Sequence, residues 1–148
     1  MATGKLALAE SILVYPVLAF DRYSFGVKRD VEELTVVWTS LIRSGWFVGL
    51  QIADSDGKTF EVASARKLHS VGFLWGFNPL YGRRVKVELK LRQLHPSLTL
   101  EEIRSHLLAL LRTYSPWKSR DDYDELLAAV SNADSISRLI TALSKAGV

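Results

Sequence analysis

The 148-residue sequence has no cysteine, a single methionine and only four prolines. Without cysteine there can be no disulfide, no thiolate nucleophile and no Cys-based zinc site. Glycine-rich phosphate loops are lacking too. Gly72, Gly76 and Gly82 lie among aromatics and precede a strand pattern, whereas a phosphate cradle opens onto a helix N-terminus. There is no G-x-S-x-G elbow for a nucleophilic serine. His69, His95 and His106 have no partner at i+3 or i+4, so each is read as structural or solvent-facing and no metal is expected. The longest apolar run, LALAESILVYPVLAF (6–20), is broken by Glu10 and Pro16 and is too short to span a bilayer. With no small-x-small cleavage site after it, it reads as a buried strand of a cytoplasmic protein that has no membrane partner.

Apolar residues make up 48% of the chain and charged residues 24%, the mix of a folded soluble protein. Its length fits one domain over 1–148. A net charge of +3 is mildly basic, so the distribution of charge matters more than its sum.

Strand patterns come first. SILVYPVLAF (11–20) is β-branched and aromatic; Pro16 cannot donate to a ladder, which predicts an edge strand or a bulge. DRYSFG (21–26) reads as a turn or the start of a second strand. WFVGLQIA (46–53) and KTFEVASARKL (58–68) flank DSDG, a hairpin turn in which Asp56-Gly57 supplies positive-φ chemistry. RVKVELKLRQL (84–94) alternates most cleanly. Val85, Val87, Leu89 and Leu91 share one face, and Arg84, Lys86, Glu88, Lys90 and Arg92 the other.

Helical patterns are concentrated at the C-terminal end. TLEEIRSHLLALLRTY (99–114) opens on a Thr99/Glu102 capping box and is closed by Pro116. SRDDYDELLAAVS (119–131) and DSISRLITALSKAG (134–147) begin at the potential caps Ser119 and Asp134. One earlier helix is predicted near 30–44, capped by Asp30 and Glu33, with Leu34, Val37, Trp38, Leu41 and Ile42 on one side; its TVVW segment pulls towards strand. The expectation is therefore α+β: a mostly antiparallel sheet of about four to five strands, one helix near 30–44, and three C-terminal helices over 99–114, 119–131 and 134–146.

Little in the sequence points to catalysis. DSDG resembles the start of a calcium loop, but the position that should hold a bidentate Glu is Ala65. The acidic pairs 32–33 and 101–102 and the DDYDE cluster (121–125) all sit in first helical turns, where carboxylates meet the helix dipole favourably. No enzyme activity, metal or cofactor is expected. The chain is similar in general shape to many bacterial immunity and adaptor proteins, an analogy of architecture alone.

Two surfaces draw attention. VGFLWGFNPLYGRR (71–84) places aromatics beside arginines. If 71–77 pairs with 83–89, Trp75 faces Val85, Phe73 faces Val87 and Val71 faces Leu89, all in the core. The exposed candidates are then Phe77, Leu80 and Tyr81 with Arg83 and Arg84, residue types that anchor protein interfaces. The second surface is the cationic face of Arg84, Lys86, Lys90 and Arg92, which could follow a phosphate backbone but has no stacking aromatic on it. Residues 83–92 are strongly basic and 119–134 acidic, so the two segments could either pair with each other or steer a charged partner. The expected function is a non-enzymatic protein-binding module, an immunity- or inhibitor-type partner of another protein or a homo-oligomer. Nucleic-acid binding through 84–92 is the second reading, and a small enzyme with an unrecognised site the third.

Overall fold

The computed structural model describes residues 5–43, 45–47, 49–71 and 83–148. Leu6–Leu8 form β1 and Ala9–Ile12 a single helical turn, α1. Pro16 stays outside any ladder, and β2 begins just after it as Val17–Phe20. Of the expected 11–20 strand only this last part is paired in the sheet. Because the proline precedes it, β2 is free to pair on both sides and lies inside the sheet, not at an edge. β3, Phe25–Lys28, follows a turn in which Asp21 Oδ1 accepts from the backbone N–H of Tyr23 and of Ser24, both at 2.7 Å.

The helix predicted near 30–44 is interrupted. Asp30 caps α2 (Val31–Thr35) by accepting from Glu33 N at 2.9 Å, and Glu33 reaches back to Arg29 N at 2.8 Å. Val36–Trp38 then form a strand, β4, and Thr39–Arg43 a second short helix, α3. The β-branched pair and the tryptophan take the extended conformation because a neighbouring strand has backbone groups to offer them. β5 is shorter than expected, Gln51–Ala53, while β6 (Thr59–Ser70) and β7 (Arg84–Gln93) are long. Gly57 supplies the expected positive φ, +82°, in the turn between β5 and β6.

All pairings are antiparallel, in the order β1-β7-β6-β5-β2-β3, with β4 beside β1 on the outer side of β7. β7 is therefore central. Arg84, Val85 and Lys86 meet Trp38, Val37 and Val36 on one side, and Val85 meets Ser70 on the other. This overturns the register proposed for 71–77. Val85, Val87 and Leu89 are already opposite Ser70, Lys67 and Ala65, and Val71 N donates to Arg84 O instead of lying near Leu89. β6 runs further than its sequence pattern suggests, with bulges between Val62 and Ser64 and between Lys67 and His69. Phe73 and Trp75 lie outside the described residues.

Two apolar clusters hold the sheet. In the first, Val17, Ala19, Ile52, Phe60, Val85, Val87, Leu89 and Leu91 from one sheet face pack with Ala9, Leu13, Leu34, Phe47 and Leu50. α2 touches both β3 and β7, so the sheet curls around this cluster. In the second, Leu18, Phe20, Phe25, Val27 and Ala53 on the opposite face meet the C-terminal helices. These helices are α4 (Leu100–Thr113), α5 (Ser115–Lys118), α6 (Tyr123–Asn132) and α7 (Ile136–Lys145). The Thr99/Glu102 capping box is present. Pro116, expected to end the long helix, sits inside the short α5, where its missing N–H is unneeded. Ser135, one position later than Asp134, caps α7 by accepting from Arg138 N at 3.1 Å. Ser119 is not a helix N-cap; its hydroxyl donates back to Ser115 O at 3.0 Å.

Candidate interaction surface

β5 pairs with β6 only over Thr59–Glu61, and Val62 N makes one more bond outward, to Leu50 O at 3.0 Å. Beyond Val62 β6 continues for eight residues held by β7 alone. Among the described residues no strand lies on its other side. Ala63, Ser64, Arg66, Lys67, Leu68 and His69 are all exposed. Leu68 is one of the few large apolar side chains left open, at 45% exposure. A strand end of this kind presents a row of backbone donors and acceptors that a further chain can satisfy.

Where the 45–50 segment leaves β6, a hollow of about 150 Å³ opens beside this free edge. It is lined by Ile42, Gly45 and Phe47 on one side and by Val62, Ala63, Ser64 and Ala65 on the other. Its size matches one apolar side chain.

The residues singled out in the sequence divide. Phe77, Leu80 and Tyr81 lie outside the described residues. Arg83 and Arg84 are exposed at the start of β7, and the main chain of Arg83 is held by Thr39: Thr39 N donates to Arg83 O at 2.8 Å, and Arg83 N to Thr39 Oγ1 at 3.1 Å. The cationic face is less uniform than its alternation suggests. Lys86 is largely covered and donates to Glu32 Oε1 at 3.0 Å and Thr35 Oγ1 at 2.6 Å, while Arg92 pairs with Glu61 at 2.8 Å. Lys90 is exposed opposite Ser64, and Arg66 pairs with Glu88 at 3.3 Å. Lys86 thus pairs with α2 and Arg92 with β6, and neither with the acidic 119–134 segment.

That acidic segment has its own structural partners. Asp122 takes a bidentate bond from Arg120, at 2.8 and 3.0 Å, which holds its carboxyl below the usual carboxylate range. Arg120 also donates to Ala146 O at the end of α7, and its guanidinium lies 5.8 Å from the Trp117 ring. Arg104, which the sequence did not single out, serves α6 in the same way by donating to Val130 O at 3.0 Å and to Ala133 O. A lone arginine on a helix gives no signal of which carbonyls it will reach. His106 joins α4 to the β2–β3 turn by donating from Nε2 to Asp21 O at 2.6 Å. No cluster of metal-binding side chains occurs among the described residues, and no helix among them is long and apolar enough to cross a membrane.

Two further buried groups were not anticipated. Asp54 is fully buried in the β5–β6 turn, where its carboxylate accepts from Val14 N, Asp56 N and Lys58 N at 3.0–3.3 Å. All three donors are backbone N–H groups, so its role is to hold the turn against the lead-in to β2. Tyr15 has a buried hydroxyl without a partner; burial, with Asp30 and Glu10 nearby, pushes its pKa up to about 12.

Comparison with protein-family models, with curated proteins and with solved structures finds no match to this chain.

Proposed function

We propose that this chain is a protein-binding module that takes its partner along the free edge of β6, as an inhibitor- or immunity-type partner of another protein and without catalysis of its own. The observation that carries this reading is the eight-residue stretch after Val62, paired on one side only among the described residues and largely exposed on both sheet faces. Strand addition at such an edge draws affinity from main-chain hydrogen bonds and specificity from the side chains beside it. The conspicuous acidic residues support the non-enzymatic part, because Asp54, Asp122 and Glu102 are engaged in turns, ion pairs and caps. A cytoplasmic setting fits a sequence without cysteine and belongs to the same proposal.

Nucleic-acid binding remains the second reading. It is favoured by exposed Arg84 and Lys90 and weakened by the engagement of Lys86 and Arg92 with carboxylates. A photo-crosslinking residue placed at Ser64 or Lys67, in cells of the source organism, separates the readings. Covalent adducts with another polypeptide at these positions are expected. Adducts with nucleic acid alone, or none at either position, would overturn the proposal.

A further inference from the structure

Resting on that reading, we infer that the occupant of the β6 edge is an extended acidic segment of another protein, anchored by one apolar side chain in the hollow between Phe47 and Ala65. Three features of the edge combine to select it. The first is charge. From Val62 to Val71 the strand carries Arg66, Lys67 and His69 and no acidic residue, with Lys90 exposed beside Ser64. The one carboxylate across from this stretch, Glu88, is already held by Arg66. A partner strand with glutamate or aspartate along it gains chiefly from Lys67 and Lys90, which have no ion-pair partner among the described residues, and a basic one is repelled.

The second is regularity. The two bulges bracket Ser64–Lys67, which pairs with β7 without interruption from Lys90 to Val87. Backbone groups are evenly presented over this short stretch and displaced beyond it, so the edge suits a short linear segment better than a long flat sheet. The third is the hollow. It adjoins Val62–Ala65, at one end of the regular stretch, and is lined mainly by apolar groups. An extended segment lying along Ser64–Lys67 therefore brings an apolar side chain to the hollow while its acidic residues run past Arg66 and Lys67.

A second copy of this chain is disfavoured by the same features. Two-fold antiparallel pairing of β6 with itself, centred on Ser64–Lys67, would set Ser64 opposite Lys67 and Ala65 opposite Arg66, gathering Arg66 and Lys67 of both copies into one four-residue ladder that carries no carboxylate of its own.

The test uses the whole chain and fluorescent peptides of about eight residues, rich in Val and Thr, carrying several glutamates and one leucine. Anisotropy titrations at moderate salt should give saturable binding. Replacing the leucine by serine should weaken it about tenfold, and Lys67→Glu in the protein should weaken it about threefold to tenfold. Ala63→Phe, which fills the hollow from an exposed position, should abolish the advantage of leucine over serine while leaving the glutamate dependence. Thermal melts of both variants monitor folding. A glutamate-to-lysine peptide that binds equally well, indifference to Lys67→Glu, or preferential binding of oligo-dT would each overturn the inference, as would concentration-dependent dimerisation blocked by Lys67→Glu. Should crosslinks from Ser64 to a polypeptide form while acidic peptides fail to bind, the protein-binding reading stands and the acidic occupant is refuted. Absence of both removes the two together.

Discussion

Along β6 one strand passes through two environments. From Thr59 to Glu61 it is paired on both sides, and Thr59 and Phe60 are fully buried. From Ala63 to Ser70 it is paired, among the described residues, with β7 alone, and most of its side chains are open to solvent. The inner part is where the fold is assembled: Phe60 fills the first apolar cluster, and the Thr59 hydroxyl accepts from Leu98 N at 2.9 Å, just before α4. The outer part inherits its conformation from β7, so its side chains need not serve the core. Residues freed from packing in this way can be chosen for a partner.

The contrast predicts very unequal responses to substitution. Phe60→Ala removes the largest fully buried side chain of the first cluster and leaves a cavity; a loss of about 3–5 kcal/mol is expected, read as a drop in the urea midpoint at unchanged slope. Thr59→Val keeps the shape of the side chain but takes the acceptor from Leu98 N, leaving a part-buried donor without a partner; about 1–3 kcal/mol is expected. If Thr59→Val proves neutral, the inner strand is held by apolar packing alone and its link to α4 carries no weight.

The same contrast explains what the sequence disclosed. β7 announced itself because Val85, Val87, Leu89 and Leu91 face a core while the alternate residues do not, and α4 because its Thr99/Glu102 box is purely local. The α+β class and the C-terminal group of helices followed from such local signals. β4 was legible only as the strand tendency of TVVW inside a helical pattern, since Leu34 and Val37 fit a buried face whether 31–38 is helix throughout or helix followed by strand. What decides is the edge of β7, some fifty residues away in the chain. β6 was read over 58–68, all but its last two residues, His69 and Ser70; its register was not, because the bulges at Ala63 and Leu68 leave no local mark. The free edge was unreadable because it is defined by the absence, among the described residues, of a neighbouring strand, which no stretch of sequence records.

Tyr15 sharpens the comparison from the buried side. It packs against the same cluster as Phe60, and its phenol is pushed from 10.0 up to about 12 by burial, with Asp30 and Glu10 adding to the effect. A folded-state pKa raised above the unfolded one means that the unfolded chain releases the proton first. The contribution is therefore fully present below pH 10 and is lost as pH rises from 10 to 12. Tyr15→Phe cannot ionise and also deletes a buried hydroxyl that lacks a partner. The variant should match or exceed the wild type in stability at neutral pH, and its advantage should grow across this alkaline window in parallel urea titrations. An identical pH dependence for the two proteins would show that the phenol is solvated in the folded state.

Leu68→Ser tests the opposite extreme, on the outer part of β6. A leucine at 45% exposure, at a bulge and with no strand beyond it among the described residues, has already left much of its surface in water. Its truncation forfeits little burial, and polar substitution at such a site is expected to shift stability by no more than about 0.5 kcal/mol. β7 stays paired over the whole stretch, so the backbone of β6 has no reason to move. The urea midpoint of the variant should superimpose on that of the wild type, in contrast to Phe60→Ala in the same strand. A loss of about 2 kcal/mol or more would mean that another part of the chain covers Leu68 in solution, and the outer half of β6 would then be core. An unchanged midpoint together with weakened capture of a partner would separate the two roles within one strand: Phe60 holding the fold, and Leu68 with its exposed neighbours meeting something outside it.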